Sequence, residues 1–359
     1  MKKLVAWIVG LMMIVAVFAG CSAPAAQESA KESPNQTAEM ITQAVEETAK
    51  KTGGQINCGF LCYTEEVEYH FKVMNGCKEA FENAGYGFTY AVTGGDATEA
   101  RAAYDSFVTK GVNVIIDFTV TSTSASALSN LCEEAGIYYI AVDVFFPEID
   151  TNSYTYSFGV DNEAIGEYGG ECVTGWLKDN GYDKVDYILE LNNSGFGESV
   201  RNRTLGVRDA ILNGDFGLTE DNTYYMDITS SDQTEVKQLI QDHLTSVASK
   251  YDTIVLLVCT TEWQAAAISA IESANLQEKV LMFENDGPST TQTIMKSVHD
   301  GTYEGICPLK GEVAFFPEKY AEMLLPIAED LIAGKQVEKY NHTLKGWLTP
   351  ENIYEIYPE

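Results

Sequence analysis

The chain has 359 residues, enough for two domains of ordinary size, and a hydrophobic content of 45% with 11% aromatic residues supports large apolar cores. Its formal net charge of −30 argues against nucleic acid as a partner, because binding phosphates needs a basic face.

Residues 1–20 read as a targeting segment. Lys2 and Lys3 form a positive start, Leu4 to Phe18 is apolar with one Gly, and Phe18-Ala19-Gly20-Cys21 places small residues just before a cysteine. The apolar run is short for a membrane span. The last four residues resemble a bacterial lipobox, which implies cleavage before Cys21 and lipid attachment to its thiol; two acyl chains anchor a protein stably where one does not. Cleavage removes Lys2 and Lys3 and leaves 21 basic against 53 acidic residues, a net charge of −32. Residues 21–54 are rich in Ala, Gln, Glu, Ser, Thr and Lys and too poor in apolar residues to repay ordering, so they read as a flexible tether. Seven cysteines follow (Cys58, Cys62, Cys77, Cys132, Cys172, Cys259, Cys307). Their odd number and their apolar surroundings favour buried free thiols. His70, His243, His299 and His342 are scattered, with no zinc-like Cys/His spacing, and no cofactor or metal is expected.

From Gln55 onward short apolar runs alternate with helical periods. Ile56–Tyr63 is strand-like. Val67, Phe71, Met74, Cys77 and Phe81 fall at helical spacing before Gly85. Strands are predicted at Tyr86–Thr93 and Val112–Phe118, each followed by a helix. Next comes Ile137–Phe146, apolar at every position until Asp143. Such a run fits a strand buried on both faces of a parallel sheet. An acid at its end is either a turn former or a ligand group at the strand's carboxyl end. After Tyr154–Val160 and a helix near Glu163–Asp179 the pattern restarts, with strands at Lys184–Leu191, Thr223–Thr229, Thr253–Cys259 and Val280–Glu284, the last leading into Asn285-Asp286-Gly287-Pro288. Two four-strand βα series, each closing on an Asp, predict two similar α/β lobes whose sheets meet at one cleft. A helix from Tyr320 to Ile332, a strand at His342–Leu348 and a short helix at Pro350–Tyr357 complete the chain and imply that it crosses between lobes more than once.

Enzyme signatures are poor. Asn193-Ser194-Gly195-Phe196-Gly197 lacks the third glycine of a dinucleotide fingerprint, and neither a nucleotide P-loop nor a Gly-x-Ser-x-Gly elbow is found. Asp143 and Asp286 as acid and base of a glycoside-processing enzyme form a distant alternative.

Residues 55–359 resemble the type 1 periplasmic sugar-binding proteins of ABC importers, the ribose-binding group. The matching pieces are Asn75-Gly76-Cys77-Lys78-Glu79-Ala80-Phe81-Glu82-Asn83-Ala84-Gly85-Tyr86, Ala141-Val142-Asp143, Val160-Asp161-Asn162, Arg201-Asn202-Arg203 followed by Gly206, and Asn285-Asp286-Gly287. The resemblance implies two Rossmann-like lobes with parallel sheets flanked by helices, a three-crossing hinge and a ligand cleft that closes between them. It implies lobes of about 55–160 plus 309–339 and 161–308 plus 340–359, with crossings near Val160–Asp161, Pro308–Leu309 and Tyr340. By position it assigns ligand contacts to Tyr69, His70, Asp143, Arg201, Thr260, Trp263 and Asp286, with Phe71 left to the core stripe. A sugar has apolar faces and a belt of hydroxyls, so rings and charge-assisted hydrogen bonds suit it. The sequence departs from the family at Val144, where an arginine is usual, at Thr260-Thr261, at Val67-Glu68-Tyr69-His70 and at Pro308, which puts ribose in doubt. The implied function is a monomeric, lipid-anchored receptor on the outer face of the cytoplasmic membrane, delivering a small polar ligand, a sugar or polyol, to an ABC permease; the alternative is a sensory module for a membrane kinase or chemoreceptor.

Overall fold

A computed structural model describes residues 54–358; the targeting segment and nearly all of the tether lie outside them. The first lobe runs β1 (Asn57–Cys62), α1 (Glu68–Asn83), β2 (Gly87–Val92), α2 (Ala97–Thr109), β3 (Val114–Phe118), α3 (Ser122–Ala135), β4 (Tyr138–Val142), α4 (Glu148–Thr151) and β5 (Thr155–Gly159). The second runs α5 (Asn162–Asp179), β6 (Tyr187–Asn192), α6 (Glu198–Asn213), β7 (Thr223–Asp227), α7 (Gln233–Val247), β8 (Ile254–Val258), α8 (Gln264–Ser273), β9 (Val280–Asp286), α9 (Ser289–His299) and β10 (Leu309–Ala314). The tail supplies α10 (Tyr320–Ile332), β11 (Tyr340–His342), β12 (Gly346–Leu348) and α11 (Ile353–Ile356).

Each lobe holds a six-stranded sheet, in the orders β2-β1-β3-β4-β5-β11 and β7-β6-β8-β9-β10-β12. Every neighbouring pair is parallel except β10 with β12. The central strands β3, β4 and β8 are buried at every position, as a sheet covered by helices on both faces requires. Helix starts follow local chemistry. Asp96 caps α2 by accepting the amides of Thr98 and Glu99, and Asp232 caps α7 through Thr234 and Glu235.

The structure corrects three expectations. β10 is hydrogen-bonded in the second sheet, so the second crossing falls at residues 315–319 rather than at 308–309, and only then does α10 pack Tyr320, Leu324 and Leu331 into the first lobe's core. Residues 342–348 are not one strand. β11 extends the first sheet beside β5 and β12 the second beside β10, with the third crossing at 343–345. Phe71 is 45% exposed, because the buried face of α1 is Val73, Met74, Cys77 and Phe81 and only the end of the expected stripe faces inward. The three crossings are bonded together: the Thr343 amide donates to the Gly159 carbonyl at 3.0 Å and the Thr343 hydroxyl to the Phe315 carbonyl at 2.7 Å.

Helices α5 and α6 touch backbone to backbone. A Cβ at Gly206 would press on the Gly166 carbonyl group and come within 2.7 Å of the Glu167 amide nitrogen, so only hydrogen fits there. Gly206→Ala gains roughly 1 kcal/mol of helix propensity. It loses more by forcing the helices apart, since backbone cannot swing aside as a side chain can. We expect a net loss of about 1–3 kcal/mol in urea unfolding; an unchanged midpoint would refute the close approach.

Candidate ligand cleft

In sheets of this strand order ligands sit beyond the carboxyl ends of the strands. Here those ends face one another across the lobes. Glu68, opening α1 just after β1, accepts the hydroxyl of Ser289 at 2.8 Å and its amide at 3.3 Å, at the start of α9 just after β9. Lys72 holds the same carboxylate at 2.6 Å. Together these donors bring Glu68 below the usual carboxylate range in spite of its partial burial.

The first-lobe side is built round Asp143. The residue follows β4 with φ of 56°, a left-handed conformation that an Asp tolerates better than most side chains. Gly159 on β5 makes room for it, since a Cβ there would strike the Asp143 carboxylate. The carboxylate accepts the Val160 amide and the Tyr69 hydroxyl, each at 2.9 Å. Tyr69 spends its only proton on Asp143, so the Tyr320 hydroxyl, 2.5 Å away, donates to Tyr69. Burial raises Asp143 above the ordinary carboxylate range, against the pull of these donors and of the Arg203 charge. Tyr69 and Tyr320 are pushed well up, first by burial and then by Asp143.

His70 lies between Phe118 (ring centroids 4.6 Å apart) and Tyr63 (5.4 Å). Both of its ring nitrogens are buried without a hydrogen-bond partner, and burial lowers its pKa, so it holds a neutral ring with one donor and one acceptor unspent. Leaving such a group unmatched costs about 1–3 kcal/mol.

The second-lobe side is built round Asp286, which ends β9 at φ 127°. Oδ2 accepts the Thr260 hydroxyl at 2.8 Å, the Thr261 amide at 2.9 Å and the Thr261 hydroxyl at 3.1 Å, and Oδ1 accepts Arg203 Nη1 at 3.2 Å. Arg203 also donates to Asn162 Oδ1 at 2.7 Å and to the Cys259 carbonyl at 3.2 Å, and its guanidinium lies 4.6 Å from the Phe315 ring centre. This pair is mostly shielded, with side-chain exposures of 13% and 20%.

Tyr69, His70 and Asp143 thus gather on one lobe, Thr260 and Asp286 on the other. The contacts of Arg201 and Trp263 lie within the second lobe. Arg201 stacks on Tyr225 of β7 at 4.4 Å, and Trp263 is 1% exposed in the second lobe's core beneath Phe196, whose ring stacks on it at 6.1 Å. Sequence reasoning missed Arg203, Tyr320 and the Glu68–Ser289 contact. For Arg203 a signal existed. Two residues apart on a helix, Arg201 and Arg203 point about 200° apart. Gly206, three residues beyond Arg203, marks the face packed on α5, so Arg203 is the one turned toward Asn162.

A family model described as "Periplasmic binding protein domain" matches residues 58–336. No curated protein matches the chain. Among solved structures, an ABC transporter solute-binding protein of Bacillus halodurans C-125 with bound myo-inositol is 22% identical, covering 84% of this chain and 97% of its own, at a TM-score of 0.64. One of Actinobacillus succinogenes 130z with bound D-allose is 16% identical, covering 84% and 100%, at 0.66. A galactofuranose-binding protein is 19% identical, covering 84% and 96%, at 0.63. These structures share the fold, and the family model spans most of the described chain: the protein belongs to the periplasmic binding protein domain family.

Proposed function

We propose that the protein is an extracytoplasmic solute receptor, tethered through lipidated Cys21, that captures a small polar ligand by lobe closure and delivers it to an ABC importer. The ligand class is a sugar or polyol. The observation that carries this reading is the opposition of two unlike polar faces across one cleft: Asp143 with Tyr69 and Tyr320 on the first lobe, the Arg203–Asp286 pair on the second, close enough that the Arg203 charge acts on Asp143 and Tyr320. A hydroxylated ring presents donors and acceptors to both at once, and its apolar faces suit the Tyr63, His70 and Phe118 rings. Neighbouring structures with myo-inositol and D-allose support the same class.

The roles divide as follows. Asp143 accepts ligand hydroxyls and His70 supplies a donor and an acceptor. Arg203 donates, where the sequence pointed to Arg201. Asp286, with Oδ2 already taking three protein donors, chiefly orients Arg203 and Thr260.

Residues 55–359, titrated with D-galactose, D-allose, L-arabinose, myo-inositol and glycerol, gain thermal stability with at least one of them, about 2.7 kcal/mol at a hundred times its dissociation constant. Asp143→Ala and Arg203→Ala abolish that gain while Arg201→Ala retains it. A flat response to the whole panel, or equal loss in both arginine variants, would sink the assignment. Glu68→Ala removes a charge from the start of α9 in the closed form alone, so the ligand leaves about two- to fivefold faster at an unchanged association rate. Stopped-flow release distinguishes this from a slower association, which would contradict it.

A further inference from the structure

Behind Asp286 the second sheet carries two acids that the cleft does not use. Glu284 on β9 and Glu312 on β10 are register partners on adjacent parallel strands, exposed by 2% and 0%. Neutral groups serve one oxygen of each. Gln264 Nε2 and the Thr291 hydroxyl (2.9 Å) donate to Glu284 Oε1, and the Gly287 amide donates to Glu312 Oε1. The other oxygen of each, Oε2, is buried with no hydrogen-bond partner.

The remaining charges offer no relief. Asp286, on β9 itself, acts on both carboxyls, and Tyr357, just past α11, feels Glu312; both of these are acids. Of the cations on these and adjoining elements, Arg203 is spent on Asp286 and Lys310 Nζ on the Cys307 carbonyl at 2.6 Å. Among the described residues no ion pair reaches either glutamate. Two adjacent buried anions without a counter-charge are prohibitively costly, and the usual escape is to retain a proton. Burial accordingly pushes both groups up, Glu312 further through Glu284 beside it.

We propose that Glu284 and Glu312 share one proton between their Oε2 atoms, and that this acid–carboxylate pair holds the Gly287 amide and so positions Asp286 at the cleft. Both are positioning residues, since neither lines the ligand face. The inference is independent of the ligand and is read on the protein alone. The folded state keeps a proton that the unfolded chain releases above the ordinary carboxylate range. The stabilisation is therefore complete below that range and is lost as pH rises toward the raised pKa of the pair.

Glu312→Gln is the informative variant, because its carbonyl still accepts the Gly287 amide while its amide donates to Glu284 Oε2 without any titratable proton. Ligand-free wild type shows, by infrared spectroscopy at neutral pH, a protonated-carboxyl band that Glu312→Gln lacks. Between about pH 5 and about pH 8 the wild type loses stability against Glu312→Gln, by up to about tenfold in the unfolding constant per pH unit. Glu284→Gln serves the same purpose should the first variant fail to fold, and the wild-type spectrum needs neither. Parallel pH profiles, a band unchanged in both variants, or no band together with stability that tracks added potassium, which would place a cation there, each overturn the shared proton.

Discussion

The guanidinium of Arg203 is the point on which the second lobe's half of the site turns. One side chain reaches the start of α5, the end of β8, the Asp at the end of β9 and the ring of Phe315 in the second crossing. A carboxylate as shielded as Asp286 needs a counter-charge or a dense set of donors, and it has both. Arg203 is placed in turn by a contact with no polar component, the glycine-to-glycine approach of α5 and α6. Polar geometry at the cleft thus rests on an apolar constraint a turn further along the helix.

The two lobes solve the problem of a half-buried acid differently. On the first, Asp143 is met by the Tyr69 hydroxyl and one backbone amide, and burial outweighs them. On the second, an arginine and two threonines share the work. The arginine usual beside Asp143 in the resembling family is Val144 here, 8% exposed and packed into the first lobe's core. The cation that acts on Asp143 is contributed from the opposite lobe, by Arg203.

Much of this was legible in the sequence because burial on both faces leaves a plain mark. A run such as Tyr138–Val142 ending in Asp143 stands out, and so does Val280–Glu284 leading to Asp286. What was not legible depends on direction and on partners far away in sequence. Arg201 and Arg203 differ only in the side of α6 they occupy. Tyr320 reads as one more apolar position of α10, and its hydroxyl acquires meaning only when α10 crosses back to Tyr69. The third crossing escapes the sequence because β11 and β12 are three residues each, too short to declare a period, and a single strand over 342–348 accounts for the same residues.

Thr343 sits between those short strands and ties the first crossing to the second through its amide and hydroxyl. Three separate linkers would let the lobes swing, twist and slide. Three linkers laminated by hydrogen bonds behave as a flexure strip, compliant in bending about one line and stiff in torsion. In the proposed closure the lobes would approach along nearly the same arc, and Asp143 would meet Arg203 in the same register each time.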